Sequence, residues 1–388
     1  MPQSTRRNEE KLMKHERRTS VAIVGGGLAG LYAARRLHAL GIDFHLFEAR
    51  DRLGGRILSA NDQGHSSNDG FDLGPSWFWP EMQRGLAALV DELGLESFPQ
   101  YSDGDVVVER LPHEEPRRYQ GMPQAPQSMR VAGGTGAFIT ALSATLPREA
   151  LRLGMRVRHA TLNNSEVLLT IVARDGAEHE VAAEHVIFAL PPRLLVSSVA
   201  FTPDIDSATA ILWRHTPTWM APHAKFFALY RQSFWRDAGL SGTAQSQVGP
   251  LVEIHDATTA SGMSALFGFL GVHADQRAAL GEAALTQACI EQLTRLFGPE
   301  AGRPHATLIK DWAADPLTAT VDDRAPSGHP EPVRIPWVSG VWKNRMFLAG
   351  SETSTTAPGY LAGAIAAAER AVLELRSKGQ NKGVGNLF

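Results

Sequence analysis

Two groups of residues in this chain of 388 could do chemistry. The first is Gly25, Gly27 and Gly30 in "VAIVGGGLAG" (21–30), with Glu48 further on. Glycines at this spacing let a backbone turn tightly, approach a pyrophosphate and pack a helix close to a strand. Free N–H groups at the helix start, at Leu28 and Ala29, attract phosphate. An acid such as Glu48 accepts hydrogen bonds from a ribose diol. The second is one lysine, Lys225, in "APHAKFFALYRQSFW" (221–235), a run with the apolar character of a buried strand. A buried ammonium must be paired or lose its proton. Desolvation lowers its pKa toward a range useful for proton transfer. Two readings stand at this point: an edge strand whose solvated lysine discourages aggregation, or a functional amine.

The elements that would hold these residues are legible. "VAIV" (21–24) suits a buried parallel strand. "LAGLYAARRLHAL" (28–40) is helical and Gly41 ends it. "DFHLFE" is a second strand that closes with Glu48. Strand, glycines, helix, strand and acid in this order make a dinucleotide-binding βαβ unit. The acid disfavours a 2′-phosphate, so NADP is set aside while NAD and FAD remain. Around the lysine, alternation puts Lys225, Phe227 and Leu229 on one face and Phe226, Ala228 and Tyr230 on the other. A helix over 284–298 has core spacing at Ala283, Leu285, Ala288, Cys289, Leu293 and Leu296, which makes Cys289 a packed thiol.

Composition bounds the rest. The length allows about two domains. A net charge of −3 gives no electrostatic case for nucleic acid or an anionic membrane. One cysteine excludes a disulfide framework and a cysteine-rich metal site, and no metal is expected. It fits a reducing, cytoplasmic setting. No run of eighteen or more apolar residues reads as a membrane span. The charged residues 1–18 and the polar 379–388 read as tails.

Immediately after Glu48 runs "ARDRLGGR" (49–56). E-A-x-x-R-x-G-G-R after such a unit resembles the flavin amine oxidase superfamily of monoamine, polyamine and L-amino-acid oxidases and related desaturases. The resemblance implies FAD and adds Ala49, Arg50, Gly54, Gly55 and Arg56 to its site. Further blocks match in order along nearly the whole chain. "FDLGPSWFW" (71–79) resembles a stretch beside the flavin ring and implies Gly74, Pro75, Ser76 and Trp77. "RVAGGTGAFITALSATL" (130–146) resembles a Gly-Gly helix start. "LRLGMRVRHA" (151–160) places Val157 where the family contacts adenine through its backbone. "HVIFALPPRLL" (185–195) resembles the strand and Pro-Pro turn leaving the cofactor domain. "RMFLAGSETSTTAPGYLAGAIAAAERAV" (345–372) resembles the closing signature, implying Gly350, Ser351, Glu352, Gly359, Tyr360, Leu361 and Ala364.

The family lysine strand resembles the one around Lys225, whose amine would hold a water against flavin N5. That inverts the earlier balance toward a functional amine. Tyr360 resembles one wall of an aromatic cage for the amine, and Trp312 resembles the tryptophan preceding the flavin-facing loop. The implied fold is α/β: a Rossmann-type FAD domain from 19–80, 130–200 and 320–378, and an α+β substrate domain with a mixed sheet from 81–129 and 201–319. The implied reaction moves hydride from an amine α-carbon to flavin N5, giving an imine and hydrogen peroxide from dioxygen. A lipid or pigment desaturase or isomerase, and a noncatalytic flavin-bound module, stay as alternatives. No cysteine follows Trp312, so the FAD is expected to be noncovalent. Val321 and Asp322 stand where the second cage tyrosine should fall. Asp322 is open to two readings, a partner for a substrate ammonium or a solvated loop acid. Trp77, Trp79, Trp213, Trp219 and Trp235 hint at an apolar amine, and Arg84 is a positional candidate for a carboxylate. A homodimer is left open.

Overall fold

The computed structural model describes residues 18–325 and 327–380; of the segments read as tails, 1–17 and 381–388 lie outside them, whereas Arg18 opens the first strand by pairing with Ala182 and 379–380 end the last helix. The chain forms two compact units. One comprises the residues up to Gly55, Ala141–Trp219 and those from Gly328 on; the other comprises Arg56–Thr140 and Met220–Ser327. These divisions fall elsewhere than the boundaries read from the sequence. Residues 56–80, 130–140 and 320–327 belong to the second unit and 201–219 to the first. Side-chain packing explains the first shift: Phe71 and Leu73 share a core with Phe227, Leu229 and Phe267. Trp213 explains the last, since it lies in the first unit's core with Val24 and Phe188.

The first unit is built on an eight-stranded sheet. Arg18–Val24 pairs in parallel with Phe44–Phe47 on one side and Glu178–Phe188 on the other. Met346–Leu348 adds in parallel to the end of Glu178–Phe188. The apolar run 21–24 is buried throughout, as a strand covered on both faces requires. The helices Leu28–Ala39 and Leu361–Gln380 pack together and are tied by an Arg36–Glu369 ion pair of 2.9 Å.

The second unit holds a seven-stranded mixed sheet. Ala224–Tyr230 is not its edge: it pairs antiparallel with Ser264–Leu270 and with Ala306–Asp311. Every residue of that strand is buried. Phe226, Ala228 and Tyr230 enter one core and Phe227 and Leu229 another. The helix expected over 284–298 runs Glu282–Phe297. Cys289, Leu293 and Leu296 are buried as its spacing predicts, but Ala283 is exposed. Gln292 is buried instead, because its amide accepts from Leu251 N and donates to Leu251 O, both at 2.8 Å. No helix among the described residues is long and apolar enough to cross a membrane.

Candidate active site

The residues singled out in the second unit converge on the turn 72–76. Lys225 is 1 % exposed. Its Nζ donates to Gly74 O at 2.6 Å, Ser76 Oγ at 2.9 Å and Asp72 O at 3.2 Å. Three donors thus meet three acceptors, which is what lets an ammonium be buried at all. Phe267 and Phe269 present their rings 4.6 Å and 5.3 Å from the nitrogen. Desolvation lowers the Lys225 pKa to about 7, against the pull of Asp72 and helped by Arg130. The solvated-edge reading of this lysine therefore fails. Trp312, 1 % exposed, donates Nε1–H to Leu73 O at 3.0 Å. Lys225 and Trp312, the latter just past the strand Ala306–Asp311, therefore hold three successive carbonyls, those of Asp72, Leu73 and Gly74.

Behind that turn is a buried polar group that sequence reasoning did not single out. Asp72 Oδ1 accepts from Ser59 Oγ, Thr135 N and Thr135 Oγ1 at 2.7 to 2.9 Å. Its Oδ2 is buried with no partner among the described residues. Burial pushes the Asp72 carboxyl up, opposed by Ser59, Arg130 and Thr135. Arg130, its guanidinium pushed down by burial, donates to Thr258 O and Ala257 O. An aspartate inside the apolar-looking "FDLG" was the available signal, since a buried acid needs partners. Trp77 lies on the same side as Phe267, 5.5 Å between ring centroids, and donates to Gln100 Oε1 at 2.7 Å.

In the first unit the glycine loop has the shape its spacing implies. Gly25 has φ +108°, a conformation unfavourable to other residues. A Cβ on Gly30 would lie 1.9 Å from Gly25 O, so helix and strand touch there. Gly27 differs: a Cβ would meet only Gly54 O, at 3.7 Å. The helix beginning at Leu28 has no side-chain cap and no acid in its first turn. Glu48, 4 % exposed, takes Gly26 N–H on Oε2 at 2.7 Å and Arg50 N–H on Oε1 at 2.8 Å. A carboxylate with one bond per oxygen keeps lone pairs for a ribose. Gly54 N donates to Gly26 O at 2.8 Å, laying the 53–55 turn across the loop. Ala49 lies on the same loop, and Val157 is buried in the core beneath it with Phe47. This cradle, open at Gly27 and uncapped at the helix start, fits a dinucleotide pyrophosphate.

In the same unit Gly350 caps a short 3-10 turn, Ser351–Thr353, that includes Glu352, and Gly350 and Gly25 both pack on residues 189–190. Glu352 is fully buried and accepts from Ser351 Oγ at 3.0 Å and Trp219 N at 3.3 Å. Gly359 and Tyr360 precede the helix that opens with Leu361 and includes Ala364. The His329 ring packs tilted against Tyr360 and Trp219, with interplanar angles of 30° and 55°. His329 was not anticipated; it stands in an irregular stretch without periodicity. Trp213 and Trp235, thought to lie near a pocket, are fully buried core residues bonded to Trp337 O and Asp256 Oδ2. Trp79 is half-buried. Pro75 sits within the turn that Lys225 grips, and Arg56 belongs to the second unit. Asp322 and Arg84 are exposed; Asp323 is the buried acid of that loop, closing a capping box with Thr320.

The flavin-containing amine oxidoreductase family model matches residues 28–129 and 115–375 of this chain. Putrescine oxidase of Kocuria rosea is 25 % identical over 403 residues, 77 % of this chain and 83 % of that one. The flavin-containing amine oxidase A of Sus scrofa is 22 % identical over 469 residues, covering 95 % and 86 %. The structure of cyclohexylamine oxidase from Brevibacterium oxydans is similar with a TM-score of 0.76 at 20 % identity, over 93 % of this chain and 99 % of that one.

Proposed function

The chain belongs to the flavin-containing amine oxidoreductase family and catalyses FAD-dependent amine oxidation, and from there we propose that Lys225 is the group that handles protons around a small amine substrate. One observation carries this: an amine buried beside aromatic rings, with a pKa of about 7, is poised to gain or lose a proton at neutral pH. FAD, when bound, supplies the two-electron chemistry, taking hydride from the amine and passing electrons to dioxygen.

The chain's own residues do the rest in this reading. The cradle of Gly25, Gly27 and Gly30 with Glu48 binds the dinucleotide. Gly74 O and Ser76 Oγ fix the position of the Lys225 nitrogen. When Lys225 is neutral its lone pair accepts a proton, and Ser76 Oγ–H can turn to donate to it. Trp312 keeps the 72–76 turn in place.

The flavin is noncovalent in this reading. The only cysteine of the sequence, Cys289, lies fully buried in the second unit's core with its thiol pushed up to about 12 by burial. Denaturation in acid should release all flavin into the supernatant, and native Cys289 should stay unreactive to thiol reagents until the protein unfolds. A coloured pellet would refute the first point. Cysteine usage also suits a cytoplasmic setting.

The test is anaerobic mixing of the yellow protein with putrescine, cyclohexylamine, secondary amines and α-amino acids. Bleaching by one amine class, with peroxide on readmitting air, is expected. A protein that keeps its flavin but is bleached by none of them is not an oxidase of these amines.

A further inference from the structure

We propose that Asp72 is a positioning residue for Lys225: its carboxylate locks the turn whose carbonyls the lysine grips, and its negative charge favours the protonated form of that amine. The inference rests on Lys225 as the proton-handling group and deepens that reading.

The lock is built from behind the turn. Asp72 ends the strand Phe71–Asp72, which pairs with Ser59–Ala60 so that Asp72 lies opposite Ser59. Its Oδ1 takes Ser59 Oγ–H at 2.7 Å and Thr135 N–H at 2.8 Å, just ahead of the helix Gly136–Ala144. A carboxylate is favoured at a helix start. Ser59 Oγ in turn accepts from Gly136 N at 2.9 Å. Thr135 Oγ1 lies 2.9 Å from Oδ1 and 3.0 Å from Pro75 O, so it ties the carboxylate to the turn itself. The fit is close: a Cβ on Gly134 would fall 2.8 Å from Oδ1. One residue therefore offers its carboxylate to this clamp and its carbonyl to Lys225.

A neutral amide could accept the same hydrogen bonds at Oδ1. What it cannot supply is charge. Oδ2 is buried with no hydrogen-bond partner among the described residues, so an ionised Asp72 needs cations nearby. Arg130 and Lys225, both buried, act on it electrostatically. The other charged groups around the lysine have partners. Lys310, opposite Lys225 on the neighbouring strand, pairs with Asp315 at 3.3 Å. Asp256, which also acts on Arg130, pairs with Arg236 at 2.7 Å. His255, beside the Phe267 ring, pairs with Glu253 at 2.7 Å. Asp72 is left to hold the proton of Lys225, with Arg130 opposing it.

The test compares urea midpoints of the flavin-loaded parent and Lys225→Met across a range of pH. The gap between the two should begin to change near pH 7, where the buried amine loses its proton. The same comparison is then made between Asp72→Asn and Asp72→Asn/Lys225→Met. There the onset should fall by about one pH unit or more, since a nearby opposite charge is worth about 1–3 units. A residue with a packing role alone would lower both curves and leave the onset where it was; that result overturns the proposal. Should Asp72→Asn fail to fold, Arg130→Gln gives a second reading. It removes the cation that opposes the ammonium and can still donate to Thr258 O, so the onset should rise. An onset that stays or falls in Arg130→Gln overturns the proposal as well. Flavin reduction by an amine at the same pH values is read separately. An onset that moves while the rate profile does not would support Asp72 as the counter-charge and count against Lys225 as the proton-handling group.

Discussion

Replacing Lys225 with methionine is expected to cut amine turnover by roughly a hundredfold or more while flavin is retained. Retention follows because the dinucleotide cradle belongs to the other unit, whose glycine loop does not involve Lys225. Methionine is apolar and flexible, so it suits the space between Phe267, Phe269 and the 72–76 turn. It cannot exchange a proton, and it leaves Asp72 O and Gly74 O without the amine. Stopped-flow measurement of flavin reduction and reoxidation would show which half of the cycle slows. Unchanged rates in both halves would remove Lys225 from the mechanism.

The same variant has a signature in stability. The Lys225 pKa falls from 10.5 to about 7 on folding. Below about 7 the amine is charged in both states, and its desolvation weakens the fold in full. Between 7 and 10.5 the unfolded chain holds the extra proton, so the parent gains stability as pH rises. The methionine variant lacks this gain. The difference between the two should therefore move in the parent's favour by on the order of 1 kcal/mol per pH unit across that window. The intercept also contains the lost hydrogen bonds, so the slope is the diagnostic quantity. Urea midpoints measured at several pH values would give it, and parallel curves would contradict a lowered amine pKa.

The second large effect concerns two glycines that look alike in the sequence. Gly30→Ala should give a colourless, markedly destabilised protein. Its new methyl would lie 1.9 Å from a backbone oxygen and cannot be accommodated unless helix and strand move apart. Overpacking of that kind costs about 1–3 kcal/mol and sometimes more. Gly27→Ala should fold almost as well as the parent, since Gly27 has φ −77° and a Cβ there meets nothing closer than 3.7 Å. The added methyl enters space that a pyrophosphate would use, so flavin affinity should fall all the same. Thermal melts of the flavin-free proteins, with flavin content per chain, separate the two cases. Equal melting temperatures for both variants would mean that the contact at Gly30 is not tight.

These contrasts indicate what could be read in advance. The βαβ unit was legible because each local preference agreed: apolar run, glycines, helix pattern and terminal acid. Lys225 was visible as an oddity, but its setting was not. Alternation places residues on two faces without saying that both are covered, and only pairing on each side of Ala224–Tyr230 makes that strand interior. The membership of 56–80 escaped for a similar reason, since Phe71 and Leu73 are committed by long-range packing that no local pattern records. The ring contacts of His329 bring together residues 219, 329 and 360, none of which shares an element. Gln292 is not among the core positions that apolar spacing picks out, although a side-chain amide can complete a strand end as well as a backbone can.

The parallel sheet has a consequence for synthesis on the ribosome. Arg18–Val24 leaves the exit tunnel early, yet its partner Glu178–Phe188 follows much later and Met346–Leu348 later still. At ordinary elongation rates the nascent glycine loop waits on the order of tens of seconds for the strands that will flank it. Arg36 waits longer again for Glu369. Flavin loading therefore waits until the strand Met346–Leu348 has been made. A message truncated just before the codon for Met346 should yield a chain that never acquires colour and depends on chaperones to stay out of aggregates.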